Sequence, residues 1–432
     1  MKSGKKNKTN NIILGGKIMK RNSIKKLGAV LIKSSDSSFF KIAGEKMFNK
    51  IKRNSSYLIA VFMVAFIFFS GQKVLAEGTF APDAEGVYHI NSLEDWDAFF
   101  ETLGTGENFE GKMVCLEDDL NIKAKTYENY AKLFFRGIFD GKGHKITYSN
   151  DTMSEESVLF PMVIRNSTIK NLEVYAKDCT LVAGENGTGR GIIFNNYGGG
   201  DSEPIAFDKI KIYGDIKVVL NNSKNNNIFC TGIETSSSKV SNCIVDLNYN
   251  IDEDSLTAFL QNNTGRNARI ELCQFGALAS TDVSYENCLA LGGCTDSILK
   301  ACEKLEEYYK TIKDMATRHT VIVAFAGGKN TCTQKNCFYN KDKSHLICGS
   351  EQGKANIKCL DDESMEKTEE ELKNQDTFAL YDLIDTWGMS EYINEGYPYL
   401  RALVNEDLVK LVEDIIALPE VNEIKLEDKE AI

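Results

Sequence analysis

The sequence predicts an all-β solenoid, in which successive coils of chain stack on one another. Three observations carry that expectation. First, a short pattern returns along the middle of the chain: a polar residue, then Asn or another polar residue, then Cys or an aliphatic residue leading into a strand. Its clear copies are SNCIVDL from Ser241, ENCLALG from Glu286 and KNCFYN from Lys335, with weaker ones at KNLEVYA from Lys170 and DKIKIYG from Asp208. Second, another apolar strand precedes each copy, beginning at Leu159, Gly191, Asn227, Glu271 and Thr320. Third, the copies lie about 30 to 50 residues apart, and most leave no room for a crossover helix. A β-sandwich is the competing architecture, and it leaves the recurring Asn-Cys pairs to chance.

Stacking explains the residue types. In a pile of coils each residue sits about 4.8 Å from its counterpart in the next, so like meets like. Asn171, Asn242, Asn287 and Asn336 share one position before the second strand. Their amides are suited to a hydrogen-bonded ladder that holds a tight turn. The next position reads Leu172, Ile210, Cys243, Cys288 and Cys337, all small or apolar and expected to face the core. Length variation falls in the Asn-rich insertions NNSKNNN from Asn221 and QNNTGRN from Gln261. Insertions that project from a turn cost little.

The two ends of the 432-residue chain differ in charge. Residues 1–56 hold 15 Lys and Arg against Asp36 and Glu45, a net of +13. An uncharged apolar run follows, Tyr57 to Ser70, and then Val74-Leu75-Ala76. A basic stretch, a short apolar run and a small-residue site make a secretory signal spanning 1–76. At 14 residues the run is short for a bilayer span of roughly 20. Cleavage before Glu77 is therefore the expectation, with an uncleaved N-terminal membrane anchor as the alternative; Met19 and Met47 are alternative starts. The remaining 356 residues hold 60 acidic and 35 basic side chains, a net of −25. Such a surface repels nucleic acid. The expected location is secreted or cell-surface.

All twelve Cys follow the apolar run. Cys243, Cys288 and Cys337 are read as small buried hydrophobes, because stacked Cβ atoms sit wider apart than a disulfide prefers. Cys332 with Cys348 and Cys294 with Cys302 stay open as pairs. There is no CxxC, and His89, His144, His319 and His345 are the only histidines, a poor set for zinc.

Along the exported part, residues 77–148 read as an N-terminal cap and first coils. Ser92 is a helix N-cap with Asp95 three residues on. Leu93, Trp96, Phe99, Phe100 and Leu103 form an apolar face, and Gly104 is the expected stop. Asp140-Gly141-Lys142-Gly143-His144 reads as a turn whose glycines supply positive φ. The solenoid body spans 149–367. It is interrupted by an amphipathic helix at about 295–318, where Ile298, Cys302, Leu305, Tyr309 and Ile312 recur at helical spacing. A helix-rich segment from Thr368 to Leu383 begins a C-terminal cap, 368–403. An acidic helical tail, 404–432, follows.

Gly86 to Tyr148 resembles the opening of right-handed parallel β-helix domains of bacterial surface and secreted proteins, including adhesin-like proteins with GLUG-type repeats. The matching residues are Tyr88, Ile90, Gly106, Phe109, Gly111, Lys112, Leu116, Asp119 and Leu120. Phe135, Gly137, Phe139, Asp140, Gly141, Gly143, His144 and Ile146 complete the pattern. The far end, with Trp387, Gly396, Tyr397, Pro398, Tyr399 and Leu400, is similar to the W…G-Y-P-Y-L segment that closes such domains. The resemblance implies a right-handed β-helix and a non-catalytic role in binding or display. It gives the FDGKGH turn, with His144, a structural part.

A polysaccharide lyase or glycoside hydrolase, the alternative function, needs carboxylates clustered with a basic partner. Asp118, Asp119, Asp140, Asp201, Asp215, Asp252 and Asp254 are scattered and share no repeated position. The Asp252-Glu253-Asp254 turn offers oxygens to calcium but lacks the EF-hand spacing and glycine. Asn196 to Pro204 is glycine-rich without a P-loop Lys-Ser/Thr. No catalytic residue and no cofactor is expected; an extracellular glycan or a host or cell-surface protein is the expected partner.

Overall fold

The structure is a computed structural model. It describes residues 11–14, 17–20, 80–125, 133–153, 159–182, 191–194, 205–220, 227–235, 238–252, 269–277, 283–294, 319–327, 332–348, 358–359 and 365–405, with a few single positions between. The chain divides into two units. One comprises Met1–Glu77, Met389–Tyr397 and Asn405–Ile432. It contains an antiparallel strand pair, Asn11–Leu14 with Lys17–Lys20, within the basic residues 1–56, where no strand was expected. The other, Gly78–Gly388 with Pro398–Val404, holds the remaining sheet structure described below.

This larger unit is mostly β, and its main sheet has 15 strands. Nine of them form one path: β1 (Val87–Ile90), β2 (Met113–Leu116), β3 (Ile138–Asp140), β4 (Thr168–Val182), β5 (Ile205–Val219), β6 (Ile244–Ile251), β7 (Leu289–Ala290), β8 (Phe338–Asn340) and β9 (Glu366–Lys367). Every neighbouring pair on that path is parallel. A second sheet takes the preceding apolar strands, Gly191–Phe194, Asn227–Thr235, Arg269–Ala277 and His319–Gly327, also parallel. Between β4 and β8 the chain alternates between the two sheets and advances one strand per pass.

Register makes the core. One inward row runs Tyr88, Val114, Phe139, Ile169, Phe207, Val240, Tyr285, each paired with the next. A second runs Leu120, Ile146, Val174, Ile212, Val245, Ala290, Tyr339. All fourteen are buried. A parallel stack forces this order: the alternation of side chains within a strand, repeated at constant register, gives apolar columns. Phe275 and Phe325 show the same rule in the second sheet, their rings stacked at 4.8 Å and 2°.

At the N-terminal side, α1 (Leu93–Gly104) connects β1 to β2. Ser92 accepts the Asp95 N–H, as an N-cap should. Trp96, Phe99, Phe100 and Leu103 are buried, whereas Leu93, in the first turn, is 45% exposed and leaves the expected apolar face. Gly104 belongs to the helix, and the left-handed residue after it is Gly106, φ 97. Phe80, Tyr88, Phe109, Phe135, Phe139 and Phe160 extend the aromatic packing around the helix. At the other side, the helix-rich reading of Thr368 to Leu383 shrinks to α2 (Glu369–Leu372) and a 3-10 turn, Gln375–Phe378. A Thr368–Glu371 capping box holds this single helical turn. The predicted helix at 295–318 lies outside the described residues, Lys300 apart. Among the described residues no helix is long and apolar enough to cross a membrane.

One polar side chain joins the two sheets. β6 pairs with β7 through Val245 and then with Gly293–Cys294 from Asn248, leaving a break at Leu247. Gln274 of the second sheet fills it: its Oε1 accepts the Leu247 N–H at 2.9 Å and its Nε2 donates to the Leu247 carbonyl at 2.9 Å. Gly292 leaves the room, since a Cβ there would run into the Leu247 backbone. Gln274 is buried, so its loss strands two buried backbone groups. Gln274→Met, similar in size, is expected to cost about 2 kcal/mol or more, read from the urea midpoint.

Candidate functional site

The strongest concentration of recurring side chains is the corner before the second strand of each unit. Asn171, Asn242, Asn287 and Asn336 have φ of 53, 51, 52 and 52. This is the left-handed region, which Asn tolerates better than most residues. Their amides bond from one layer to the next. Asn336 Nδ2 donates to Asn287 Oδ1 at 3.1 Å, and Asn287 Nδ2 to Asn242 Oδ1 at 3.3 Å. The chain then ends on a carboxylate, with Asn242 Nδ2 on Asp208 Oδ1 at 2.8 Å. Lys209 holds the left-handed place in that layer, φ 55, and has no amide to continue the row. A second short ladder starts at Asn171 and ends on Asp140 Oδ1 at 3.0 Å. Burial pushes the Asp140 carboxyl up, but bonds from Asn171, the Lys142 N–H and Lys170 outweigh it and hold it below its ordinary value.

Cys243, Cys288 and Cys337 are buried free thiols just after the ladder. Each donates to the carbonyl two residues earlier, on Ser241 at 3.2 Å, Glu286 at 3.5 Å and Lys335 at 3.5 Å. The thiol thus fills a small inward space and partners the carbonyl before the left-handed residue. Burial raises Cys288 and Cys337 well above the usual thiol range. They are neutral and poor nucleophiles. The same device recurs where it was not expected: Asp178 has φ 52, and Cys179 Sγ bonds the Lys177 carbonyl at 3.7 Å. Its signal was another polar-Cys pair after a strand.

The FDGKGH turn works differently from the expectation. Lys142 and Gly143 carry the positive φ, 49 and 83. Gly141 is needed for space, because a Cβ would meet the Asn171 carbonyl oxygen and Leu172. A Cβ on Gly143 would run into the Ala402 carbonyl oxygen. His144 Nδ1 lies 3.3 Å from Asp119 Oδ1, which also accepts the Lys145 N–H.

The closing segment runs along this corner. Phe378 packs on Phe338, Tyr381 donates to the Asn336 carbonyl at 2.8 Å, and the fully buried Trp387 donates through Nε1 to Asn242 Oδ1 at 3.3 Å. Arg401 Nε donates to the Trp387 carbonyl at 2.7 Å, and Trp387–Gly388 pairs with Tyr399–Leu400. The segment starts beside β9 and then travels back across the layers, so it is a strap more than an end cover. Gly396 has φ 90, Tyr397 is buried, and Pro398 immediately precedes the paired Tyr399–Leu400.

Outside the ladder runs a polar row: His89, Cys115, Asp140, Lys170, Asp208, Ser241, Glu286, Lys335, each in register with the next. Neighbours satisfy one another, as in Lys170–Asp140 at 3.2 Å, Ser241–Asp208 at 2.9 Å and Lys335–Glu286 at 2.6 Å. His89 stands beside Cys115 in register, an imidazole next to a thiol. His89 Nε2 meets Asp83 Oδ2 at 2.9 Å and Nδ1 meets Glu117 Oε1 at 2.6 Å, so both ring nitrogens are engaged. The bond to Asp83 raises the His89 pKa against a smaller burial effect, and Glu117 adds to it. Burial raises the Cys115 thiol.

The other candidates do not converge. Asp118 bonds the next N–H, Asp215 is exposed, and Asp252 caps a turn through the Ser255 N–H at 2.8 Å. Asp201 and residues 196–204 lie outside the described residues. Among the described residues no group of three or more His, Cys, Asp or Glu side chains is arranged to hold a metal.

No family model matches the chain, and no curated protein matches it. Among solved structures, one from Bacteroides ovatus, provisionally described as an immunoglobulin A1 protease, is similar with a TM-score of 0.39 and 13% identity, covering 76% of this chain and 95% of that one.

Two tests follow from the geometry. Asn287→Ala must place a Cβ-bearing residue without a compensating amide at φ 52. It is expected to cost about 3 kcal/mol, and Asn287→Gly about 1 kcal/mol less, because glycine accepts that φ. The comparison of urea midpoints reads it. His89 has a folded pKa above its ordinary value, so its contribution is full below about pH 6.5 and fades as pH rises through the folded value. His89→Gln should therefore lower the melting temperature most near pH 6 and less at pH 9. The effect should stay under about 1 kcal/mol because the ring is partly in water.

Proposed function

We propose that the chain is a right-handed parallel β-helix, exported or held at the cell surface, which binds an extracellular glycan or a cell-surface protein without turnover. The helical reading is supported by the parallel strands of two sheets, which the chain visits alternately while advancing one strand at a time, up to His319–Gly327, where the second sheet ends in antiparallel pairs with His345–Cys348 and Lys358–Cys359. The hand follows from the strong preference of parallel crossovers for the right. Export is supported by the basic leader, the apolar run at Tyr57 to Ser70 and the small-residue site before Glu77.

The observation that carries the non-catalytic reading is the self-engagement of the outer row. His89, the residue best suited to acid-base work, is held between Asp83 and Glu117. Asp83 is held down at about 2, first by that bond and then by the Val87 N–H, so it too is committed. The acidic exterior favours solubility and opposes polyanion binding. Ridges of fixed, paired side chains are suited to recognition, where preorganised groups lose little entropy on contact.

Protein sequencing from the native host is the direct test. Glu77 as the first residue of material in the medium is the expected result, and full-length chain confined to membranes would overturn secretion in favour of an anchor. Incubation of the purified protein with acidic and neutral glycans, with and without calcium, should release no new sugar ends. Their appearance would replace binding by lyase or hydrolase activity.

A further inference from the structure

We infer that the loop at 379–386 is a preformed docking knob for a protein partner with an apolar pocket and a basic rim. This narrows the binding reading above to a protein and rests on that reading.

The loop combines tight fastening with exposed aliphatic side chains. Phe378, Tyr381 and Trp387 are buried behind it, at 0%, 6% and 0% exposure. Between them Leu380 is 77% and Ile384 81% exposed, the highest values among large apolar residues described. Lone exposed aliphatics are ordinary; two within five residues of a fixed loop ask for a reason. The backbone has little freedom to turn them inward. Tyr381 is bonded to the Asn336 carbonyl. Asp382 Oδ1 accepts the N–H groups of Ile384 at 3.1 Å and Asp385 at 3.0 Å, and its Oδ2 accepts Thr386 Oγ1 at 3.0 Å. From behind, Arg401 Nη2 holds the Leu383 carbonyl at 3.2 Å. The Asp385 N–H draws the Asp382 carboxyl below its usual value, followed by Thr386, so the loop is fastened with that residue ionised.

The partner's chemistry follows from what surrounds the pair. Asp376, Asp382 and Asp385 are exposed, and residues 374–390 contain no Lys or Arg. Aliphatic branches bury well in an apolar pocket and poorly against the hydroxyls of a sugar. Acidic neighbours at the margin match basic side chains around such a pocket. Because the loop is already ordered, docking forgoes the entropy that a mobile segment would lose.

The test uses the full chain and a synthetic helical-hairpin peptide whose two helices enclose a Leu-lined pocket rimmed by Lys, beside the same peptide with Glu in place of Lys. Binding is followed by fluorescence anisotropy. The Lys peptide should bind, the Glu peptide should not, and the double variant Leu380→Ser/Ile384→Ser should bind the Lys peptide at least about tenfold more weakly, about 1.4 kcal/mol. Equal binding to the variant would overturn the inference, because attraction by net charge alone would explain it. So would no binding of the Lys peptide, equal binding of the Glu peptide, or a dimer in sedimentation that the variant abolishes, which would make a second copy the occupant. The single variants, checked for unchanged circular dichroism, keep the comparison valid if the double variant folds poorly. None of these outcomes depends on export, so they separate from failure of the display reading.

Discussion

A left-handed residue at the same corner of successive layers is the constraint on which the rest depends. Once Asn242, Asn287 and Asn336 take φ near 52, the strands on either side of each are directed alike, and the layers fall into register. Register then decides everything inward. Apolar residues meet apolar residues in columns, the thiol after each of these Asn reaches the carbonyl before it, and the inward faces of β4, β5 and β6 are buried. The amide ladder satisfies the polar groups that a sharp turn otherwise leaves in need of water.

The ladder has definite ends, and those ends explain residues that look unrelated in sequence. An amide row needs a terminal acceptor. Asp208 supplies it for three asparagines and Asp140 for one. Lys209 breaks the row, which is why two ladders exist instead of one. Trp387 and Tyr381 then cover the corner from outside, Trp387 sharing the Asn242 amide oxygen with Asn287 and Tyr381 bonding the Asn336 main-chain carbonyl. The strap is therefore part of the same hydrogen-bonding scheme, and its outer loop inherits rigidity from it.

The outer surface follows the complementary rule. Where equal residues would stack, charge alternates: Asp140 beside Lys170, Glu286 beside Lys335. Like charges at this spacing would repel, so a parallel stack favours mixed rows. The consequence for chemistry is that titratable groups neutralise one another. His89 and Cys115 adjoin, yet both ring nitrogens of His89 are already engaged, by Asp83 and Glu117.

Much of this was legible from residues alone. The Asn-Cys pairs marked the corner, the residue after each Asn marked a core position, and Ser92 marked the helix start, because each depends on local backbone preference or on like residues meeting in a stack. Other features depend on chain distant in sequence. Gly141 is required by the closeness of Asn171, thirty residues away, and not by its own φ. Gln274 reads as an ordinary polar strand residue until the break opposite Leu247 gives its amide two partners. Leu93 fits an apolar face by period, but in the first turn of the helix it stays 45% exposed. The segment after Thr368 has helical composition, yet its aromatic residues are claimed by the corner, and packing overrides propensity there. Local preference thus determined the repeating unit; which layers meet, where the ladders stop and what the closing segment covers were decided only by tertiary contact, because those partners are brought together by the stack itself.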